Sequence, residues 1–176
     1  RKPMFNAIAS IILVLSLLLG SGGITAAAAQ GSLPDDPLYQ VKLLAEDLRL
    51  WLTNDPQKEI NLLTTYSDRR VAEMQSLIEA GETPPEALQT RYQNQVEQAI
   101  RLAAGLPSAQ ATPALEKIRA CLQSQEQLML QLQTNQPEFA DPVMLQTRQM
   151  LRDRLQWLEE GLQDPLQLQQ RLQQQN

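Results

Sequence analysis

Residues 55–81 of the chain read DPQKEINLLTTYSDRRVAEMQSLIEAG. The stretch opens with Asp55-Pro56, an N-cap residue followed by proline at the first helical position, where its missing N–H would have had no helical partner. Apolar or small residues then recur every three or four positions, which is the spacing of one helix face. They are Ile60, Leu63, Ser67, Val71, Met74 and Ile78. With Gly81 well placed to end it, the stretch predicts an amphipathic α-helix over residues 56–80.

The same pairing of an N-cap residue with proline recurs along the chain and predicts six helix starts. The pairs are Asp36-Pro37, Asp55-Pro56, Thr83-Pro84, Thr112-Pro113, Asp141-Pro142 and Asp164-Pro165. The segments between the pairs have helical periodicity, and no segment alternates long enough to predict a strand. The predicted helices cover residues 37–53, 56–80, 84–104, 113–134, 142–162 and 165–174. The chain from residue 37 onward is therefore predicted to be all-α.

Each of the longer predicted helices has one apolar face that we expect to be buried. These faces carry Leu38, Val41, Leu44, Leu48 and Trp51 or Leu52 in the first helix, Leu88, Tyr92, Val96, Ala99 and Ala103 in the third, Leu115, Ile118, Leu122, Met129 and Leu132 in the fourth, and Met144, Thr147, Leu151, Leu155, Leu158 and Leu162 in the fifth. Short loops join the helices and favour antiparallel neighbours. The predicted fold is an N-terminal transmembrane (or signal) helix followed by an antiparallel bundle of four to five amphipathic helices.

The N-terminal part of the chain is apolar, with no charged residue between Lys2 and Asp35. About 20 apolar residues suffice for a membrane-spanning helix, and basic flanks stay on the cytoplasmic side. The segment Ala7–Ala29 is therefore interpreted as a single-pass anchor that places the rest of the chain outside the cytoplasm. The alternative is a signal peptide cleaved after Ala29, because the alanines before it resemble a cleavage site. A first residue Arg1, rather than methionine, makes us expect a longer protein.

These features divide the chain into four regions. Residues 1–30 are predicted to be a membrane anchor or signal segment, and residues 31–36 a linker. Residues 37–163 are predicted to form the extracytoplasmic bundle, with a Gln-rich short helix or tail over 164–176.

Composition argues against several classes of function. Arg1 and Lys2 are the only charged residues before Asp35, which leaves a net charge of −7 on the remainder of a chain whose total is −5. Nucleic-acid binding needs clustered basic side chains, so no nucleic-acid partner is expected. The chain has no histidine, which removes imidazole-dependent catalytic triads and most zinc sites. We predict no enzyme activity, no cofactor and no metal. Cys121 is the single cysteine and is interpreted as core filler, with an intermolecular disulfide as the alternative.

Three segments together resemble a known family. They are LPDDPLYQVK at residues 33–42, LTNDPQK at residues 52–58 and DRRVAE at residues 68–73. They resemble a bacterial extracytoplasmic family of unknown function that carries a Leu-Pro-x-x-Pro-Leu-Tyr-x-x-Lys signature. Members of that family follow a signal peptide or, in anti-sigma-like proteins, a transmembrane segment. The resemblance implies a place outside the cytoplasm and a regulatory context, with no catalysed reaction.

Six aromatic and arginine side chains are candidates for docking a protein partner, because Trp, Tyr and Arg are enriched at interface hot spots. They are Tyr39, Trp51, Arg69, Arg70, Arg154 and Trp157. The competing interpretation is that they pack helices together or form surface charge pairs, such as Arg69 with Glu73 four residues later.

The function predicted from these features is a non-enzymatic extracytoplasmic sensory or interaction module of a single-span membrane protein. In one version, which the family resemblance implies, the module is the outer part of an anti-sigma-like regulator. The alternative is a secreted or periplasmic helical chaperone or envelope-scaffold protein with a cleaved signal peptide. A third class, a hydrolase that uses carboxylates alone, would need two carboxylates that converge in one pocket.

Overall fold

The computed structural model describes residues 31–174, except for the side chains of residues 141–143. Within this range the chain forms helices and no strand, which confirms the all-α class. The helices are α1 (Tyr39–Trp51), α2 (Pro56–Glu79), α3 (Glu86–Ala104), α4 (Ser108–Asn135), α5 (Pro137–Gln163) and α6 (Pro165–Gln173). None of them is both long and apolar enough to span a bilayer. The predicted anchor at residues 1–30 lies outside the described residues.

The chain divides into two compact units, residues 1–49 and residues 50–176. In the second unit, α2 and α5 each pack against both α3 and α4, and α6 packs against α3, α4 and α5. Asn61 pairs with Lys117 and Ser67 with Gln125, so α2 and α4 run in the same direction. Contacts between α4 and α5 pair later residues of one helix with earlier residues of the other. The arrangement is an up-down-up-down helical bundle.

The core of the bundle follows the predicted apolar faces. The predicted positions of the helices now labelled α2, α3 and α4 are all buried. In α5, Met144, Thr147, Leu151 and Leu158 are buried, whereas Leu155 and Leu162 are half-buried. Spacing of three and four residues was sufficient to identify these faces because each helix is covered on one side by neighbouring helices.

The prediction for α1 is wrong in orientation. Leu38 and Leu44 are 40% and 52% exposed, although their spacing predicted burial. The buried side of α1 instead carries Tyr39, Lys42 and Glu46. Burial of the Lys42 ammonium is compensated, since it donates a 3.0 Å hydrogen bond to the Ser32 carbonyl and lies 5.6 Å from the centre of the Tyr39 ring.

Two of the predicted N-caps are confirmed in full. The Asp55 carboxylate accepts hydrogen bonds from the N–H groups of Gln57 and Lys58 at 2.9 and 3.2 Å. Asp164 does the same at the start of α6. Asp36 is close to its predicted role, because it accepts a bond from Leu38 just before α1 begins.

The other three predicted starts are wrong. Thr83 does not cap α3, which begins at Glu86 after Pro85. Thr112-Pro113 lies inside α4, and Asp141-Pro142 lies inside α5. Both helices begin five residues earlier, next to another proline, and the added turns bury Ala111 and Ala140 completely. Proline is tolerated near a helix start, so tertiary burial decided between the competing starts.

The predicted stop of α2 at Gly81 is confirmed. Gly81 has φ = +78°, a conformation that favours glycine. Its N–H donates to the Ile78 carbonyl, and the Glu82 N–H donates to the Leu77 carbonyl. These two bonds form a Schellman motif, which reverses the chain toward α3.

Candidate functional site

The six predicted docking residues do not form one surface patch of exposed side chains. Tyr39 is buried on α1, and Trp51, the last residue of α1, is 75% exposed. Trp51 therefore fits the docking prediction by its exposure, whereas Tyr39 does not.

The paired arginines of α2 differ from each other. Arg70 is fully buried and forms a 3.0 Å ion pair with Glu73. Arg69 is half-buried, with its guanidinium carbon 5.2 Å from the centre of the Tyr66 ring. The burial of Arg70 assigns it to packing within the bundle, which is the competing interpretation.

The last two predicted residues belong to one group, the Trp157 cluster, which consists of Glu97, Arg101, Arg154, Trp157 and Arg171. Trp157 is only 7% exposed. The guanidinium carbons of Arg154 and Arg171 lie 3.8 and 5.2 Å from the centre of its rings, close enough for cation–π attraction. The sequence brought Arg154 and Trp157 together as i, i+3 neighbours, but it did not predict Arg171.

Glu97 joins the cluster to α3. One of its carboxylate oxygens accepts a hydrogen bond from Arg101 at 2.7 Å, and the other accepts one from Arg154 at 3.1 Å. Burial raises the pKa of Glu97, but the two guanidinium groups outweigh that effect and hold its pKa below the usual value. Glu97 therefore stays ionised and bridges α3 to α5.

The cluster also holds α6 in place. Arg101 donates a 2.9 Å hydrogen bond to the carbonyl of Leu172, and Arg171 forms an ion pair with Glu160. Leu168 packs so closely on Gly161 that a Cβ there would lie 2.3 Å from it. The cations of the Trp157 cluster therefore have partners within the chain, and the cluster acts as a clasp between α3, α5 and α6.

A second group, the polar core cluster, lies among α2, α3 and α4 and was not predicted. It is centred on Gln125, which is 4% exposed. The Gln125 amide accepts a 2.7 Å hydrogen bond from the Tyr92 hydroxyl and donates bonds to Ser67 and Asp68 at 3.2 and 2.7 Å. One signal in the sequence could have found it, because Gln125 continues the apolar face of α4 between Leu122 and Met129.

Cys121 completes the polar core cluster. Its thiol donates to the Asp68 carboxylate at 3.3 Å and accepts from the Gln125 amide at 3.2 Å. Burial, and then the Asp68 charge, raise the pKa of Cys121 to about 12. Burial also raises the pKa of Tyr92 well above its usual value. Both groups are therefore protonated at neutral pH, and Cys121 is a hydrogen-bonding residue and not a reactive thiolate.

An open groove of about 750 Å³ runs between α3 and α5. It is lined by Gln93, Leu145, Gln146, Gln149, Met150, Asp153 and Arg154. Asp153 is the one carboxylate in this lining, so the groove does not offer the pair that carboxylate-only hydrolysis needs. Over the part of the chain that the structure describes, no group of three His, Cys, Asp or Glu residues is placed to hold a metal ion.

Most of the helical chain matches one known protein family. A family model described as "Domain of unknown function (DUF5667)" matches residues 31–138, which is more than half of the chain. The chain belongs to the DUF5667 family. The match covers α1 to α4 and the first two residues of α5, so most of α5 and all of α6 lie beyond it. No curated protein and no solved structure matches the DUF5667 chain.

Proposed function

We propose that this DUF5667 protein is a non-enzymatic extracytoplasmic sensory or interaction module of a single-span membrane protein. The observation that carries the proposal is the order of three features. Basic residues at positions 1 and 2 are followed by an apolar segment over residues 4–29, and the family domain begins at residue 31. That order is typical of a helical anchor with its C-terminal domain outside the cytoplasm.

The arrangement of polar groups supports a binding role over catalysis. Cys121 and Tyr92 have raised pKa values, and the carboxylate of Glu97 is held between two arginines. Burial and partners within the chain keep the thiol and the phenol protonated and the carboxylate ionised at neutral pH. Such groups suit a stable scaffold better than they suit proton or acyl transfer. Partners would be recognised by the Gln-rich outer faces of α3 to α6.

The proposed mechanism is a change in packing. Binding or stress outside the cytoplasm would loosen the bundle or change its susceptibility to proteolysis, and the anchor would transmit that change. The clasp at α6 is held by one ion pair, one hydrogen bond and two buried leucines, so α6 would be the first element to open. In the anti-sigma-like version, supported by the signature resemblance at residues 33–42, the receiver is a sigma-binding domain on the cytoplasmic side.

The first experiment is to determine the N-terminus of the mature protein by mass spectrometry in membrane and soluble fractions. An intact segment 4–29 in the membrane fraction is the expected result. A soluble protein that starts near Gln30 would overturn the proposal and favour the secreted chaperone or scaffold. For the anti-sigma-like version, a gene that encodes no sigma-binding domain upstream removes the regulatory role.

A further inference from the structure

The outer side of α1 is apolar. Val41, Leu44, Leu48 and Trp51 fall within an arc of about 80° on a helix that turns about 100° per residue. These four residues are called the α1 stripe. Leu44 and Trp51 are 52% and 75% exposed, and Val41 and Leu48 are half-buried.

Polar residues border the α1 stripe on both sides. Gln40 and Asp47 lie along one border, Arg49 lies along the other, and all three are exposed. Tyr39, Lys42 and Glu46, which are buried, lie on the opposite side of the helix. An apolar strip with polar borders is the pattern of a helix that lies flat in a membrane interface.

The position of α1 in the chain limits how far it can lie from the apolar segment. The apolar segment ends at Ala29, and α1 begins at Tyr39. The nine intervening residues span about 30 Å at most when fully extended. A segment 4–29 that spans the bilayer therefore keeps α1 close to the membrane surface.

We propose that α1 lies on the outer surface of the membrane with the α1 stripe inserted among the lipid chains at the interface. The proposal rests on the membrane anchor of the proposed function. Trp51, at the C-terminal end of the stripe, is a residue type enriched at the lipid–water interface. The α1 stripe therefore docks lipid.

The charges of α1 specify the kind of lipid contact. The helix carries two basic residues, Lys42 and Arg49, and two acidic residues, Glu46 and Asp47. Its formal charge is balanced, so apolar insertion supplies the attraction and anionic lipid is not required. Binding to zwitterionic phosphatidylcholine should therefore be insensitive to salt.

The test uses the full chain reconstituted in phosphatidylcholine vesicles. Cys121→Ser removes the native thiol, and Leu44→Cys then carries an environment-sensitive fluorophore. We expect a blue-shifted emission that lipids with spin-labelled acyl chains quench, at low and at high salt. Trp51→Cys, at the C-terminal end of the α1 stripe, provides a second position with the same expectation.

The matched control is Leu130→Cys on α4. Leu130 is 48% exposed, close to the 52% of Leu44, but it stands alone on its helix as an exposed large apolar side chain. A fluorophore at position 130 should keep a water-like emission that the spin-labelled lipids leave unchanged.

Each other outcome has a defined meaning. A chain that stays with the vesicles but shows water-like emission at positions 44 and 51 overturns the inference and leaves the anchor intact. A blue-shifted emission that lipid quenchers do not reduce means that protein, such as a second copy of the chain, covers the stripe, and also overturns it. A chain that does not associate with vesicles overturns the proposed function and this inference together.

Discussion

The side chain of Gln125 shows how a single buried residue ties three helices together. Its amide accepts from Tyr92 on α3 and donates to Ser67 and Asp68 on α2, while Gln125 itself belongs to α4. A buried polar group costs stability unless it is hydrogen-bonded, and a fully bonded one favours a single register of the helices around it. Gln125 therefore contributes to specificity as well as to stability.

Replacement of Gln125 by methionine tests this role. Gln125→Met keeps the volume but leaves the buried Tyr92 hydroxyl without its acceptor, so the free energy of unfolding should fall by about 1–3 kcal/mol. Urea unfolding followed by circular dichroism measures the change. Gln127→Met, at an exposed position two residues later, is the control and should have little effect. Equal effects of the two variants would contradict the prediction.

Alkaline pH should weaken the bundle through the polar core cluster. The pKa values of Cys121 and Tyr92 are raised in the folded chain, so both groups ionise at lower pH when the chain unfolds. Their contribution to stability is complete below about pH 8.5, the pKa of an unperturbed thiol, and is lost as the pH rises toward the folded values. Unfolding curves should therefore show lower stability at pH 10 than at pH 8.

Cys121→Ser isolates the thiol part of this effect. The serine hydroxyl can replace the bond to Asp68 but does not ionise in this range, so the decrease in stability between pH 8 and pH 10 should become smaller. Iodoacetamide should also label native Cys121 much more slowly than the urea-unfolded chain. Rapid labelling of the native chain at pH 8 would show that the thiol is not protected.

At the scale of elements, the same pairing of an N-cap residue with proline caps one helix but not another. Asp55-Pro56 and Thr83-Pro84 both predict an N-cap, but only Asp55 accepts bonds from the first turn of its helix. Local sequence could identify candidate caps, but it could not choose between Thr112 and Pro107 as the start of α4. The burial of Ala111, a tertiary effect, made the longer helix favourable.

The two caps can be compared directly by mutation. Asp55→Ala removes the acceptor for two N–H groups and should lower the free energy of unfolding by about 1 kcal/mol. Thr83→Ala should change it by much less, because Thr83 is exposed and makes no cap bond to α3. Thermal unfolding of both variants measures the difference, and a larger loss for Thr83→Ala would contradict the assignment.

The close packing of α6 on α5 reverses the effect that helix propensity predicts for replacing Gly161 with alanine. Alanine normally stabilises a helix interior relative to glycine by about 1 kcal/mol. Gly161→Ala should instead destabilise the chain by about 1–3 kcal/mol, since the new Cβ overlaps the Leu168 side chain. Hydrogen exchange of α6 amides, together with thermal unfolding, should show that α6 opens more readily.

Two further variants separate overlap from other effects of this substitution. In Gly105→Ala, the new Cβ meets only backbone oxygens at 3.5 Å, so stability should change little. In a background of Leu168→Ala, which removes the closest atom but keeps the Leu168 Cβ at 3.1 Å, the Gly161→Ala substitution should increase α6 opening much less. Failure of this rescue would mean that the contact with Leu168 is not the cause.

At the scale of the whole molecule, the helical bundle extends beyond the residues that the family model matches. The match stops at residue 138, but α5 continues to Gln163 and supplies Met144, Leu151 and Leu158 to the core. A chain that ends at residue 138 would expose the surfaces of α3 and α4 that α5 covers. The folding unit is therefore longer than the matched segment.

Two truncations test this conclusion. A chain that ends after Asp164 lacks only α6 and should unfold cooperatively, with reduced stability because Leu168 and Leu172 no longer cover their neighbours. A chain that ends at residue 138 should lose cooperative unfolding or aggregate. Circular dichroism and size-exclusion chromatography measure both, and a monomeric, cooperative 138-residue chain would contradict the prediction.

The apolar face of α1 could be predicted from the sequence, but its exposure could not. Its apolar spacing was identified correctly as one helix face, but spacing alone does not distinguish a face covered by protein from one covered by lipid or left in water. Leu44 and Trp51 are exposed, although their spacing is the same as that of the buried residues in α2. The Trp157 cluster was likewise found only in part, because Glu97 and Arg171 are distant from Trp157 in sequence.

The short turns between helices have a consequence for the kinetics of folding. A single residue, Gln136, separates α4 from α5, and the Schellman turn after α2 leads directly into α3. Most contacts in the bundle thus lie between consecutive helices, and chains with such low contact order fold in microseconds to milliseconds. A chain that starts unfolded would complete its helical hairpins within about that time. The apolar faces that the helices bury would therefore be exposed to water only briefly during folding.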